Sequence, residues 1–195
     1  MVSLIAGLGN PGTKYARNRH NVGFMALERF AEQHGGTPYR DKFHGRFAKC
    51  RVGEREVVLL EPLTFMNLSG RSVQDAMRFF KVELSGICVV HDELDVPFGE
   101  LRIKQGGGTA GHNGLSSIVE HCGGGDFCRI RVGIGRPRSQ AVESYVLSDF
   151  SSVESQELNA VLERASAALA DIVQRGVSAA MNLHNQRPGK APAAS

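Results

Sequence analysis

The sequence predicts a layered α/β domain with helices on both faces of one sheet. Three observations carry this. Short apolar runs at residues 2–7 and 87–91 have the length and composition of buried strands. They alternate with stretches of helical period, most clearly Leu158, Val161, Leu162, Ala165, Leu169, Ile172 and Val173. A chain of 195 residues with no internal repeat and no interior linker suits one hydrophobic core.

Taken in order, the first strand (2–7) runs into a Gly/Asn/Pro turn, and a helix follows over 22–34. Residues 46–52 and 56–61 read as a hairpin across Gly53. Ser69 is placed to cap a helix reaching Phe80, and 87–91 forms the second buried strand. Further strands fall at 100–104 and 128–134. Between them the glycines 106–108 lead into a short helix over 114–122. A long helix covers 153–175 and stops at Gly176. The segment 1–186 is read as one domain. The small, Pro-rich tail at 187–195 is expected to be disordered.

Composition narrows the class. Hydrophobic residues make up 42% of the chain and aromatics 7%, which supports a core and excludes a disordered polypeptide. No apolar run reaches the roughly 18 residues of a membrane span. The first residues lack a basic segment and a cleavage site, so the cytoplasm is the expected location. The four cysteines, Cys50, Cys88, Cys122 and Cys128, show no CxxC spacing, so neither a zinc site nor a disulfide is expected. The net charge of +3 decides nothing about nucleic acid. Arg17 and Arg19 flank a polar loop, while Arg102, Lys104, Arg129, Arg131, Arg136 and Arg138 gather around two strands. On charge alone both groups read as solvated surface.

Several motifs exclude familiar chemistries. Gly7-Leu-Gly9-Asn10-Pro11-Gly12 matches GxGxxG after a strand. A dinucleotide site needs a helix to open at once, and Pro11 with the polar residues behind it prevents that. His91-Asp92-Glu93 resembles the acidic strand end of a phosphate-loop NTPase, but no GxxxxGK[ST] accompanies it. His91, Asp92, Glu93 and Asp95 alternate between faces of a strand and cannot converge on one metal ion, so no metal site is expected. Asp92 alone stands where acids face a ligand crevice in open α/β sheets. There is no GxSxG, so a hydrolase here would act through activated water. His20, His112 and Asn67 each have a structural explanation when taken singly.

Together these residues belong to five segments in fixed order: GLGNPGxxYxxxRHNVG, PxTFMNLSG, HDELDxPxG, KxGGGxxGHNGL and RxRxGIGRP. The pattern resembles the bacterial-type peptidyl-tRNA hydrolase family from about Leu4 to Asn185. Small departures, at Val96 to Gly99 and at Thr109 and Ala110, touch no residue assigned a role. The resemblance implies a monomeric, cytoplasmic, cofactor-free enzyme with a three-layer α/β/α fold and a twisted mixed sheet. Its substrate would be the ester between a peptide and the 3′-terminal ribose of tRNA. Carried over residue by residue, His20 would be the catalytic base and Asp92 its partner. The chemistry leaves the oxyanion donors open among the Asn113 and Asn10 amides and the backbone N–H groups near Gly111, and Asn113 could instead orient the water. Asn10, Tyr15, Met66, Asn67 and Asn113 would line the substrate cleft, and Lys104 and Arg131 would grip the tRNA 5′ phosphate. Asn10 and Asn67 would also distinguish peptidyl-tRNA from aminoacyl-tRNA, through amide groups that pair with a peptide bond. A non-catalytic RNA-binding relative would be expected to lack His20 or Asp92, and this chain has both. A nicotinamide-dependent oxidoreductase would rest on the GxGxxG match alone.

Overall fold

The computed structural model describes residues 1–137 and 139–185; Arg138 and the tail at 187–195 lie outside the described residues. The elements run β1 (Leu4–Gly7), α1 (Val22–Gln33), β2 (Arg40–Lys42), β3 (Gly45–Val52), β4 (Arg55–Pro62), α2 (Ser69–Phe80), β5 (Ile87–Glu93), β6 (Leu101–Gln105), α3 (Asn113–Cys122), β7 (Cys128–Gly133), α4 (Val142–Val146), α5 (Ser152–Arg175) and α6 (Val177–His184). Seven strands form one sheet in the order β2-β3-β4-β1-β5-β7-β6. The four central strands, β4, β1, β5 and β7, are mutually parallel, and β2, β3 and β6 add antiparallel flanks. The expected mixed sheet is thus present.

Both faces are covered, and β1 shows why its sequence is uninterruptedly apolar. Ile5 points into a core built with Leu27, Phe30, Leu169 and Ile172, from α1 and α5. Leu4 and Ala6 point the other way, into a core with Val73, Ala76 and Ile118, from α2 and α3. A parallel strand buried on both faces has no polar side to show.

One close approach places the crevice at the strand ends. Gly23, in the first turn of α1, lies against the Leu8 N–H and Val90 C=O, which are hydrogen-bonded at 3.0 Å. A Cβ on Gly23 would stand 2.4 Å from Leu8 N and 2.5 Å from the Val90 oxygen, so only glycine lets α1 start directly on the C-terminal ends of β1 and β5. The residues preceding α1 are thereby held over the crevice outside those strand ends, where ligands of parallel α/β sheets bind.

Differences from the sequence reading fall on short or edge elements. β2, α4 and α6 lacked a legible period, being three, five and eight residues long. Ser69 does not cap α2: its hydroxyl donates back to Met66 O at 2.8 Å, and Leu68 occupies the cap position. Genuine side-chain caps occur at α5, where Ser151 and Glu154 form a reciprocal capping box, and at α3, where the cap is His112.

The two edge strands are protected differently. β2 is short, wholly exposed and charged, with Arg40, Asp41 and Lys42. β6 is met by α6. The Asn185 carboxamide accepts from Ile103 N at 2.7 Å and donates to Ile103 O at 2.8 Å, taking the place of a neighbouring strand.

Candidate active site

The loop after β1 returns through two tight 3-10 turns, Thr13–Tyr15 and Arg19–Asn21, and the second carries His20. Its position is set by its neighbours. The Asn21 carboxamide brackets the Asn10 main chain, accepting from Asn10 N and donating to Asn10 O, each at 3.0 Å. Arg19 turns away from solvent. Its Nη1 donates to Ser148 Oγ and Asp149 O, both at 2.7 Å, and its Nη2 meets Glu154 Oε2 at 2.6 Å. Its guanidinium also stacks on Tyr145, 4.3 Å from the ring centre. Asn18 adds a bond to Asp149 Oδ1 at 2.7 Å. The histidine turn is therefore bolted to the junction between α4 and α5. Arg19 is structural, not part of a solvated basic face.

His20 reaches Asp92, at the end of β5, with Nδ1 2.8 Å from Oδ1. His112 reaches the same oxygen, with Nε2 at 2.9 Å. Chemistry fixes the protons. His112 Nδ1 accepts the main-chain N–H of Gly114 at 3.1 Å and of Leu115 at 3.4 Å, so it carries a lone pair and the ring proton sits on Nε2. His20 donates its Nδ1 proton to the carboxylate, and its Nε2 has no partner among the described residues. Asp92 is 3% exposed. Burial opposes its charge, but His112 and then His20 outweigh that effect and hold its carboxyl well below the usual range. The next residue back, His91, points elsewhere. Its Nδ1 donates to Asp92 O at 2.8 Å, and burial pushes it down to about 3, so it stays neutral.

His20 and Asp92 open into a cleft of about 870 Å³, lined also by Asn10, Phe65, Met66, Asn67, Leu94, His112, Asn113, Val142 and Leu147. Of the residues expected in the cleft, Asn10, Met66, Asn67 and Asn113 are all there. Tyr15 is not; it lies in the first tight turn with the Lys14 ammonium 4.6 Å from its ring. The asparagines differ in what they offer. Asn10 Oδ1 accepts from Met66 N at 2.9 Å, which fixes the carboxamide and leaves its Nδ2 donors without a partner among the described residues. Asn67 and Asn113 are exposed and keep both functions. One wall is polar, with the imidazole and amides; the other, from Phe65, Val142 and Leu147, is apolar.

A second cavity of about 300 Å³ adjoins the first and is lined by His91, Glu93, Lys104, Gly108, Thr109, Ala110, Leu115, Arg129 and Arg131. Lys104 and Arg131 do meet there. Arg131 is oriented by Glu93, whose Oε2 accepts from Nε at 2.8 Å. Of the remaining basic residues, Arg102 pairs with Glu100 and Arg136 with Asp95, and Arg129 is buried.

The fold also assembles a donor set that spacing did not announce: single atoms of His20, Asp92 and His112 lie within 4.8 Å of one another. Their geometry is that of hydrogen bonding. A metal ion on His112 Nε2 would need either an imidazolate or a broken helix cap, because Nδ1 already holds a lone pair toward Gly114 and Leu115.

Comparison with known proteins decides the family. A family model described as peptidyl-tRNA hydrolase matches residues 4–192. The chain belongs to the peptidyl-tRNA hydrolase family. The peptidyl-tRNA hydrolase of Sorangium cellulosum is 50% identical over 188 residues, covering 95% of this chain and 84% of that one. That of Geobacter sulfurreducens is 46% identical over 189 residues, covering 97% and 98%. The crystal structure of peptidyl-tRNA hydrolase from Acinetobacter baumannii superposes with a TM-score of 0.89 at 41% identity, over 96% of this chain and 97% of that one. Within this hydrolase framework, sequence reasoning missed Arg19 and Asn21, which position His20, and gave no role to His112. The GHNG segment marked His112 as starting a helix. Nothing local revealed that its far nitrogen reaches Asp92.

Proposed function

We propose that the larger cleft hydrolyses the ester joining a peptide to the 3′-terminal ribose of tRNA, with His20 as general base. The supporting observation is the locked tautomer. His20 gives its Nδ1 proton to Asp92 and presents an unpaired Nε2 to the cleft. Water between Nε2 and the ester carbonyl loses its proton to His20 as it attacks, and the imidazolium that forms sits against a buried carboxylate. The ribose oxygen leaves with a proton returned from His20. Negative charge on the carbonyl oxygen is met by donors. Asn10 suits this, since the Met66 N–H holds its Oδ1 and so orients the Nδ2 donors. At α3 the free first-turn donor belongs to Asn113, because the His112 ring takes the next two N–H groups.

The apolar wall of Phe65, Val142 and Leu147 accepts peptide side chains, while Asn67 pairs with the peptide bond. The second cavity receives the 5′ phosphate on Lys104 and Arg131, a backbone contact that works for any tRNA sequence. In this reading the protein works as a cytoplasmic monomer without a metal; no helix among the described residues is long and apolar enough to cross a membrane. The test is release of free tRNA from an N-acetyl-aminoacyl-tRNA ester, in chelator, by the wild type and His20→Ala. The variant should lose about 10²–10⁴-fold in kcat and still bind substrate. Near-normal kcat, or wild-type activity that vanishes in chelator and returns with one divalent ion, would overturn the mechanism.

A further inference from the structure

The segment between β6 and α3 separates the two cavities, and its main chain departs from ordinary conformations. Gly106, Gly107 and Gly111 have φ of 66°, 107° and 78°, and Ala110, with a side chain, has φ of 48°. Gly106 N donates to Phe127 O at 3.0 Å, one step beyond the β6–β7 ladder, and past that point one side chain holds the path. Arg129, on β7, is 2% exposed and forms no ion pair with a carboxylate among the described residues. Its Nη1 donates to Gly108 O at 2.6 Å, and its Nη2 to Gly107 O at 2.7 Å and Gly125 O at 3.2 Å. Burying a guanidinium costs stability, and here three main-chain carbonyls offset part of that cost at Nη1 and Nη2 while Nε has no partner among the described residues.

The anchored segment bears on both cavities. The Gly107 α-carbon lies against the Lys104 side chain: a Cβ there would stand 2.8 Å from Lys104 Nζ and 2.9 Å from Cε. Lys104 and Arg129 are also cross-strand partners in the β6–β7 register. Beyond Gly108, Thr109 and Ala110 line both cavities, and His112 and Asn113 follow directly in the cleft. A single guanidinium thus fixes the backbone that seats the Lys104 ammonium on one side and leads to the Asp92 partner on the other.

We propose that Arg129 is a positioning residue: by clamping the carbonyls of Gly107 and Gly108 it seats Lys104 and holds the phosphate cavity at a fixed separation from the ester cleft. The proposal rests on the reading of those cavities given above. In an acceptor stem the 5′ phosphate and the 3′ ester are held by one rigid duplex end, so phosphate contact aligns the ester only if the two cavities keep their spacing. Loosening the clamp should therefore cost recognition of the phosphate before it costs chemistry.

The experiment measures kcat and KM of the intact protein on peptidyl-tRNA carrying a 5′ phosphate and on the same molecule with a 5′ hydroxyl. The proteins are the wild type, Arg129→Gln, Arg129→Lys and Gly107→Ala. The wild type should prefer the phosphorylated substrate by about tenfold in kcat/KM, the size of one charged contact. In Arg129→Gln the preference should fall below about twofold through KM, because kcat/KM drops much further on the phosphorylated substrate than on the hydroxyl one. Arg129→Lys should recover part of the preference. Gly107→Ala leaves the guanidinium in place and displaces the Lys104 seat. It should lose the preference too, and it decides the matter if Arg129→Gln fails to fold. A preference unchanged in Arg129→Gln and Gly107→Ala, or an equal loss on both substrates, would reduce Arg129 to general stabilisation and overturn the proposal. A wild type that turns over both substrates without preference would also overturn it, whereas one that turns over neither would sink the hydrolase reading instead.

Discussion

Asp92 Oδ1 takes an N–H from each of two histidines, yet the rings cannot exchange roles. His112 spends its second nitrogen on the α3 main chain, whereas His20 Nε2 has no partner among the described residues and is the atom that meets water in the proposed mechanism. Asp92→Asn keeps an oxygen there but removes the charge that stabilises an imidazolium, so kcat should fall while KM stays nearly constant. The same variant has a signature in stability. The Asp92 carboxyl is held below its unfolded value, so its contribution is complete above about pH 4 and is lost as pH falls toward the depressed folded value. Thermal melts between neutral pH and pH 2 should show the wild-type advantage over Asp92→Asn shrinking on the acid side; an advantage independent of pH would contradict this. Asn10 gives a sharper test of charge placement. Asn10→Asp retains the acceptor for Met66 N–H and replaces the donor facing the cleft with an anion. It should lower Tm, because it buries a charge, and lower kcat on the order of a hundredfold, as loss of the proposed oxyanion donor would. These residue types were legible in the motifs. The proton positions were not, because they depend on His112 reaching across twenty residues to Asp92 while capping its own helix.

Among the elements, the second tight turn depends most on distant partners. Arg19 ties it to Ser148, Asp149 and Glu154, and Glu154 is also half of the α5 capping box. Arg19→Met should destabilise the fold by about 3 kcal/mol, the low end for a buried pair because Glu154 keeps some contact with water. It should lower kcat as well, by freeing the His20 turn. A urea titration gives the first effect and single-turnover hydrolysis the second; full activity with reduced stability would mean that the turn holds its shape without the arginine. This explains why Arg17 and Arg19 read alike in the sequence. Charge and spacing are the same, and only the fold shows that one is exposed and the other is buried. Long elements were readable because their period repeats: α5 and the paired strands β3 and β4 came out within one or two residues. α4 was not, since five residues make little more than one turn, yet it supplies Val142 and Val146 to the cleft.

At the scale of the whole molecule, the parallel centre of the sheet was visible as apolar runs, and its order was not, because pairing across the chain leaves no local mark. The family motifs supplied what periodicity could not. They cluster at the C-terminal ends of β1 and β5 and on the segments that reach them, which is why residues as far apart as Asn10 and Asn113 share one cleft. The outer strand β6 adds a different consequence. Asn185 presents one acceptor and one donor to Ile103, so the middle of this rim is satisfied by a single side chain. An unsatisfied rim is an invitation to another molecule's strand. Asn185→Leu should leave the catalytic groups untouched and turn the protein toward self-association, visible as a rise in light scattering with concentration and time at temperatures well below Tm. Unchanged scattering would show that α6 shields the strand by its bulk alone. If the rise occurs, a single carboxamide beside α6 is this enzyme's guard against joining sheets into fibres.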